Sequence, residues 1–407
     1  MRDNWNILKL GDVAQIQKGK ISEQSTFPRK GFAPIINTDA LRGDIKVWGK
    51  IENSVTCDID DILILWDGER SGLCAIGFEG VVGSTFAKLK VSKILEPSFL
   101  YRFIDFNFQW IQNQRTGTGV PHVPKDLNKI LEIPIPPLPQ QHKIAQILTT
   151  CDAVIEKTEA AIAKYQAMKQ GLIHDLFTRG IDVKTGKLRP KQQDAPELYK
   201  ESALGWIPKE WEVKRLEDLC SEKPKYGINA AAVKFNSNLP TYLRITDIDE
   251  NGNFSKTGRK SVDNPFSDLY YLKKGDVVFA RTGATVGKTY LYNENDGALV
   301  YAGFLIKASP NKNILDANFL KFLTETSYYL NWVTLMSQRS GQPGINGAEY
   351  GSLKVATPDI KEQKIISDRL LMALKKIQTE QSALSKYQQL KTGLMQDLLS
   401  GKVEVKV

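Results

Sequence analysis

One long stretch of this chain occurs twice. Residues from Pro137 to Lys184 return, altered but recognisable, from Pro358 to Lys406. Pro137, Lys143 and Ile144 match Pro358, Lys364 and Ile365 at a spacing of 221, whereas Gly171, Leu172, Asp175 and Leu176 match Gly393, Leu394, Asp397 and Leu398 at 222. A one-residue insertion between the two groups is therefore expected. Solenoid units are only ~20–50 residues long, so a period of this size means a duplicated module. Each copy holds a globular domain followed by a long helix.

A chain of 407 residues exceeds one comfortable core, which makes two domains the expectation. No apolar run reaches the ~18 residues of a membrane span, and the polar start Met1-Arg2-Asp3-Asn4-Trp5 is not followed by a signal-peptide core. Cys57, Cys74, Cys151 and Cys220 lie far apart and His122, His142 and His174 have no ligand spacing, so neither a disulfide framework nor a metal site is expected. A reducing, cytoplasmic location follows from that cysteine pattern. The net charge of +9 and pI near 9.1 favour a polyanionic partner.

Fainter echoes extend the repeat into the globular parts. Trp5 to Leu10 parallels Trp211 to Leu216, Ile36 to Asp39 parallels Arg244 to Asp247, and Asp61 to Leu65 parallels Asp276 to Ala280. The last pair are short apolar runs, read as buried strands. Tyr101-Arg102-Phe103 matches Leu320-Lys321-Phe322 within helical segments. The fold class is therefore α+β: two globular domains separated by two long antiparallel helices forming a coiled-coil-like spacer, with pseudo-twofold internal repetition. The expected divisions are domain one at 1–136, a first helix at 137–180, a polar linker at 181–210, domain two at 211–357, and a second helix with its tail at 358–407.

The first helix should run from about Gln140 to Thr178, after prolines that block an earlier start. Leu148, Ile155, Ile162 and Leu176 recur at multiples of seven, with Leu172 alongside; Leu370, Ile377, Leu384 and Leu398, with Tyr387, Leu390 and Leu394 adjacent, do the same in the second. Lys169 and Lys391 interrupt the two seams at equivalent positions. Two seams with one shared defect fit two mated helices. A ~38-residue helix is roughly 57 Å long, more than a small domain needs.

Three catalytic readings fail on their residues. Gly283-Ala284-Thr285-Val286-Gly287-Lys288-Thr289 has one residue too few between its glycines for a phosphate-binding loop, and Gly68 to Gly72 keeps the same spacing without the lysine. A tight turn explains both. Asp263-Asn264-Pro265-Phe266 lacks the second proline of the amino-methyltransferase tetrapeptide and is read as a surface turn. No cluster of paired carboxylates with a nearby lysine stands out as a nuclease site.

Recognition fits better. The segments Gln114-Arg115-Thr116-Gly117-Thr118 and Gln338-Arg339-Ser340-Gly341-Gln342 are polar, basic and duplicated, and each precedes a proline-containing exit. Arginine suits the guanine O6/N7 edge, glutamine suits adenine, and glycine lets backbone approach closely. Arg70 and Arg281 sit at strand-end turns, His122 follows Pro121, and Arg42, Arg244, Lys225 and Lys288 add charge for phosphates.

With that architecture assembled, the chain resembles the specificity subunits of type I restriction–modification enzymes. The resemblance rests on Gln140-Gln141-His142-Lys143-Ile144-Ala145 with its echo Lys361-Glu362-Gln363-Lys364-Ile365-Ile366, and on the re-entry Leu204-Gly205-Trp206-Ile207-Pro208-Lys209-Glu210-Trp211. Gly171-Leu172-Ile173-His174-Asp175-Leu176 and Gly393-Leu394-Met395-Gln396-Asp397-Leu398 complete it. It implies two target-recognition domains, each reading half of a split, asymmetric double-stranded DNA site, and helices that act as spacer and as docking surface for two methyltransferase subunits. No active site or cofactor is implied in this chain. S-adenosylmethionine would belong to the methyltransferase partners, and ATP with magnesium to the motor-nuclease restriction subunits. Two departures stand out: the first half lacks the leader Leu204–Pro208, so the first domain is expected to lean on the tail Val403–Val407, and His122 is replaced by Gly344 in the other copy. The rival reading is a coiled-coil scaffold that binds no DNA; a third, an intrinsic methyltransferase or nuclease, requires S-adenosylmethionine or metal binding by the chain itself.

Overall fold

Both apolar runs following Asp61 and Asp276 form strands with every residue buried, Ile62–Leu65 and Val277–Ala280. They are inner strands of two matching antiparallel sheets in a computed structural model that describes residues 5–116, 119–338 and 342–406. One sheet orders Ala14–Lys18, Phe86–Val91, Ile62–Leu65 and Cys74–Ala75; the other orders Lys225–Tyr226, Leu305–Ala308, Val277–Ala280 and Thr289–Leu291. Each acid closes the turn that launches its strand: Asp61 accepts the Asp58 N–H and Asp276 the Lys273 N–H. Lys88 and Lys307 approach the same acids at 3.5 and 3.8 Å.

A second sheet in each copy contains one parallel pair, Phe32–Ile36 with Gly80–Val82 and Thr241–Leu243 with Leu299–Tyr301. Helices then cover the first sheet, Pro97–Phe106 and Phe108–Asn113 in one copy and Ala317–Leu323 and Ser327–Met336 in the other. Glu96 and Asp316 cap the first helix of each set through a backbone N–H. The final strand of each domain pairs with its first, Glu132–Ile135 with Asn6–Lys9 and Lys354–Thr357 with Glu212–Arg215. Both are α+β domains of one design.

The long helices span Leu138–Thr178 and Ile360–Leu399. The repeat here runs at a constant spacing of 222, and the insertion expected inside it does not exist. Gln141 and Gln363 settle the register, because they make the same bonds. Gln141 donates to the carbonyls of Ile94 and Pro136 and accepts from the Glu96 N–H; Gln363 donates to Ile314 and Pro358 and accepts from the Asp316 N–H. The prolines at 136 and 137 made the wrong match look good. The real one-residue difference lies in the last helical turn, where the first helix runs 41 residues and the second 40, before Gly180 and Gly401 take a left-handed conformation and stop them.

The chain divides into two units, Met1–Ala160 with Gln381–Val407, and Ala161–Glu380. Each unit is a globular domain together with part of both long helices. In the first, Ile144 and Leu148 share a core with Met395, Leu398 and Leu399, and Lys391 pairs with Asp152 at 2.8 Å. In the second, Lys376 lies over the Tyr165 ring at 5.4 Å and Glu362 accepts the Ile181 N–H, so the helices run antiparallel there. Of the seam positions, Leu148, Ile162, Leu176, Leu370, Ile377 and Leu398 are buried, and Ile155, Leu172, Leu384 and Leu394 are half-buried. Tyr387 and Leu390, expected beside the seam, are exposed.

Lys169 and Lys391 are accommodated by ion pairs, not by a break in packing. Asp152 sits between Lys391 and Arg102, and Glu325 between Lys169 at 2.5 Å and Lys321 at 3.8 Å. Residues 181–210 are not a simple linker. They fold as two hairpins, Ile181–Asp182 with Lys187–Leu188 and Tyr199–Ser202 with Gly205–Pro208, and bury Ile181, Arg189, Tyr199 and Ile207. The first unit uses the tail instead: Gly401 packs on the Trp5 ring and Val405 joins the core. Among the described residues no helix is long and apolar enough to cross a membrane.

Candidate nucleic-acid interface

The end of each buried strand leads into a turn built twice. Gly68 and Gly72, and Gly283 and Gly287, all have positive φ, which a side-chain-free residue tolerates. The Gly72 N–H returns to Leu65 and the Gly287 N–H to Ala280. A Cβ at Gly72 would strike Ile111 at 2.9 Å, and one at Gly287 would strike Val333 at 2.6 Å, so these glycines also let a helix approach. The turn is tight and structural, as its short spacing indicated, and Thr289 beyond it is buried against Thr324. Phe266, in the other motif weighed for chemistry, lies exposed before a short 3-10 turn.

A proline-containing segment is stitched to each turn. The Gly68 N–H donates to Pro121 and the Gly283 N–H to Pro343; the Val123 N–H donates to Trp66 and the Ile345 N–H to Arg281. Trp66, Asp67 and His122 therefore correspond to Arg281, Thr282 and Gly344. On the neighbouring strand Lys18 and Tyr226 correspond, because they lie opposite Ala87 and Ile306 while the N–H groups of Gly19 and Gly227 reach Phe86 and Leu305. Position by position, then, the two copies exchange a cation and an aromatic ring: Lys18 with Trp66 in one, Tyr226 with Arg281 in the other.

In the first unit the turn is held by charge. His122 Nδ1 lies 2.7 Å from Asp67 Oδ1, and Lys18 lies 2.9 Å from Asp67 Oδ2. Burial pushes the Asp67 carboxyl up, but the bonds from Lys18 and His122 outweigh it and hold the group below its ordinary value. Arg115 donates to the carbonyls of Gln112 and Glu69, and Gln112 donates to those of Glu69 and Ser71. Arg115 thus clamps the turn that carries Arg70. Arg70, Gln114 and Arg42 are exposed, and Arg42 ends the 3-10 turn Ala40–Arg42 that follows strand Phe32–Ile36 of the other sheet.

In the second unit a cleft of about 560 Å³ brings together Arg281, Arg244, Tyr226, Asn229, Thr246 and Phe304. The Arg244 guanidinium is fixed by Asp247 at 2.9 and 2.5 Å, a pairing that raises its pKa. Lys225 lies 2.5 Å from Glu222 and Lys288 lies 2.6 Å from Glu250, both in solvent-accessible ion pairs. Gln342 lies beside Gly283 and Gln338 is exposed. Thr118 and Arg339 lie outside the described residues. Sequence reasoning missed Lys18, Tyr226, Asn229 and Phe304. The signal for the first two was present but weak, since each immediately precedes a glycine with the same role.

A duplicated α+β head with arginine, lysine and aromatic side chains gathered at its strand ends defines a two-headed recognition protein. The family model "Type I restriction modification DNA specificity domain" matches residues 2–164 and 208–389, and the chain belongs to that family. It is similar to the type I restriction enzyme MjaVIII specificity subunit of Methanocaldococcus jannaschii, 27% identical over 99% of this chain and 94% of the relative. Similarity to the EcoBI specificity subunit of Escherichia coli is 21% over 91% of this chain and 79% of that one. Among solved structures, the S subunit of the type I restriction–modification system from M. genitalium superposes with a TM-score of 0.62 at 16% identity, covering 100% of this chain and 98% of the other. At that identity the likeness concerns the fold.

Proposed function

We propose that this chain is the DNA-recognition subunit of a type I restriction–modification complex, each unit reading one half of a split, asymmetric site. The observation that carries this reading is the strand-end turn built twice on one frame with different side chains, which suits two heads that read different sequences. Each head alone would hold DNA weakly, through phosphates. Joined by the long helices, the second encounter becomes intramolecular, so affinity and a preferred spacing arise without new contacts. The exposed faces of those helices are the docking surface for two methyltransferase subunits, and motor-nuclease subunits join the same assembly. S-adenosylmethionine and ATP with magnesium belong, on this reading, to those partners, and this chain supplies no catalytic group.

The test is exchange of residues 1–135 with those of a relative, followed by mapping of methylated sites. One half-site should change and the other persist; a change in both, or in neither, contradicts the division of labour. Inserting about four residues into both long helices should alter the preferred gap between half-sites. The scaffold alternative predicts no binding that falls steeply with salt.

A further inference from the structure

We propose that Arg281 is the specificity-determining residue of the second unit, reading one guanine through its O6 and N7, and that Tyr226 is its positioning residue. This rests on the DNA-recognition reading above. Among the cations singled out in the second unit, Arg281 combines partial burial with the lack of any ion-pair partner among the described residues. Among the described residues its buried Nε has no hydrogen-bond acceptor, and its one polar side-chain contact is a long one, Nη1 to the Gly303 carbonyl at 3.5 Å. A half-desolvated guanidinium left this way is costly unless an acceptor completes it.

Geometry selects the acceptor. The guanidinium lies over the Tyr226 ring at 4.9 Å, and the Tyr226 hydroxyl accepts the Gly347 N–H at 3.0 Å, which fixes the ring. Backbone bonds on both sides, to the Phe304 carbonyl and from the Ile345 N–H, hold the residue's main chain. A planar fork held in one orientation at the wall of a cleft suits two acceptors lying in its own plane, which a guanine edge provides. A phosphate needs only charge, which freely moving side chains supply. Arg244 lines the same cleft but is bonded twice to Asp247.

The sister copy sharpens the point. There the cation at this exchanged pair, Lys18, is neutralised by Asp67 at 2.9 Å. Threonine stands at the corresponding position 282, and among the described residues no carboxylate pairs with Arg281.

The experiment is selection of bound sites from randomised duplexes by the full-length chain, with R281A, R281K and Y226L beside the wild type. The wild type should enrich a two-part sequence containing an invariant guanine. In R281A and R281K, preference at that one position should fall roughly 5- to 150-fold while the other half-site is unchanged. R281K keeps the charge and should keep the salt dependence, which separates loss of reading from loss of folding. Y226L should loosen the same position by a smaller factor. Uniform weakening by R281A across all sequences, with a salt slope lower by about one, would mean a phosphate contact and overturn the proposal. An unchanged consensus would overturn it too. If the wild type enriches no sequence, the DNA-recognition reading itself is lost, a result distinct from either.

Discussion

Glu362 Oε2 accepts the indole N–H of Trp211 at 3.2 Å, while both its oxygens bond Arg189, at 2.5 and 3.0 Å. The Ile181 N–H is a further donor at 2.7 Å, and the Glu362 side chain is only 3% exposed. A single carboxylate on the second long helix thus ties down the hairpin region and the start of the second domain. Removing it leaves a buried guanidinium with only the exposed Glu210 as its carboxylate partner. We expect Glu362→Ala to cost about 3–5 kcal/mol in the unfolding of the second unit. Glu210→Ala, at the exposed rim of the same arginine, should cost less than about 1 kcal/mol. Urea titrations of the two variants decide it, and equal losses would show that the buried carboxylate has no special role.

The glycines that stop the long helices should not tolerate alanine equally. Both need a positive φ, with φ of +65° at Gly180 and +70° at Gly401. A Cβ on Gly180 would lie 2.2 Å from Glu362 Oε1 and 2.4 Å from Trp211, whereas on Gly401 the nearest atom is 3.2 Å away, on Trp5. Gly401→Ala should cost about 1–2 kcal/mol for backbone conformation alone. Gly180→Ala should cost roughly 1–3 kcal/mol beyond that, through overpacking. Thermal melts that rank the variants the other way would contradict this packing.

Asp152 links Arg102, whose side chain is 10% exposed, to Lys391, which is 23% exposed. Asp152→Ala leaves the arginine buried and unpaired, so a loss of about 3 kcal/mol is expected. Lys391→Ala leaves the Asp152–Arg102 pair intact and should cost about 1 kcal/mol or less. The comparison is made on the denaturation midpoint of the first unit.

Asp67 should give the first unit an acid-dependent increment of stability. Its carboxyl is held below the ordinary value of 3.8 in the folded chain, despite burial, by Lys18 and His122. The increment is complete above that value, where folded and unfolded carboxyls are both ionised, and disappears as pH falls through the lower folded value. The melting difference between wild type and Asp67→Asn should therefore shrink as pH falls below 3.8. A difference that grows on acidification would reverse the sign of the linkage.

Much of this architecture was legible because duplication displays each element twice. Asp61 and Asp276 pointed to matching strands, and the paired seam lysines announced a shared feature that proved to be two ion-pair triads. Register was harder: adjacent prolines at 136 and 137 supplied a false match that only the bonds of Gln141 and Gln363 expose. Residues 181–210 look like a linker because their polar side chains dominate, yet Arg189 is polar and buried, its charge met by a glutamate 173 positions away. The candidate recognition residues were the least legible. Whether a cation is available depends on carboxylates distant in sequence, as with Asp67 near Lys18 and Glu250 near Lys288, and composition carries no trace of such pairings.

The first unit closes only when residues 381–407 join residues 1–160, whereas the second is one uninterrupted segment, 161–380. During synthesis the later-coded head can therefore finish folding while the earlier one still waits on the ribosome for its last helical turns. A premature stop near position 380 would accordingly cripple the half that was translated first.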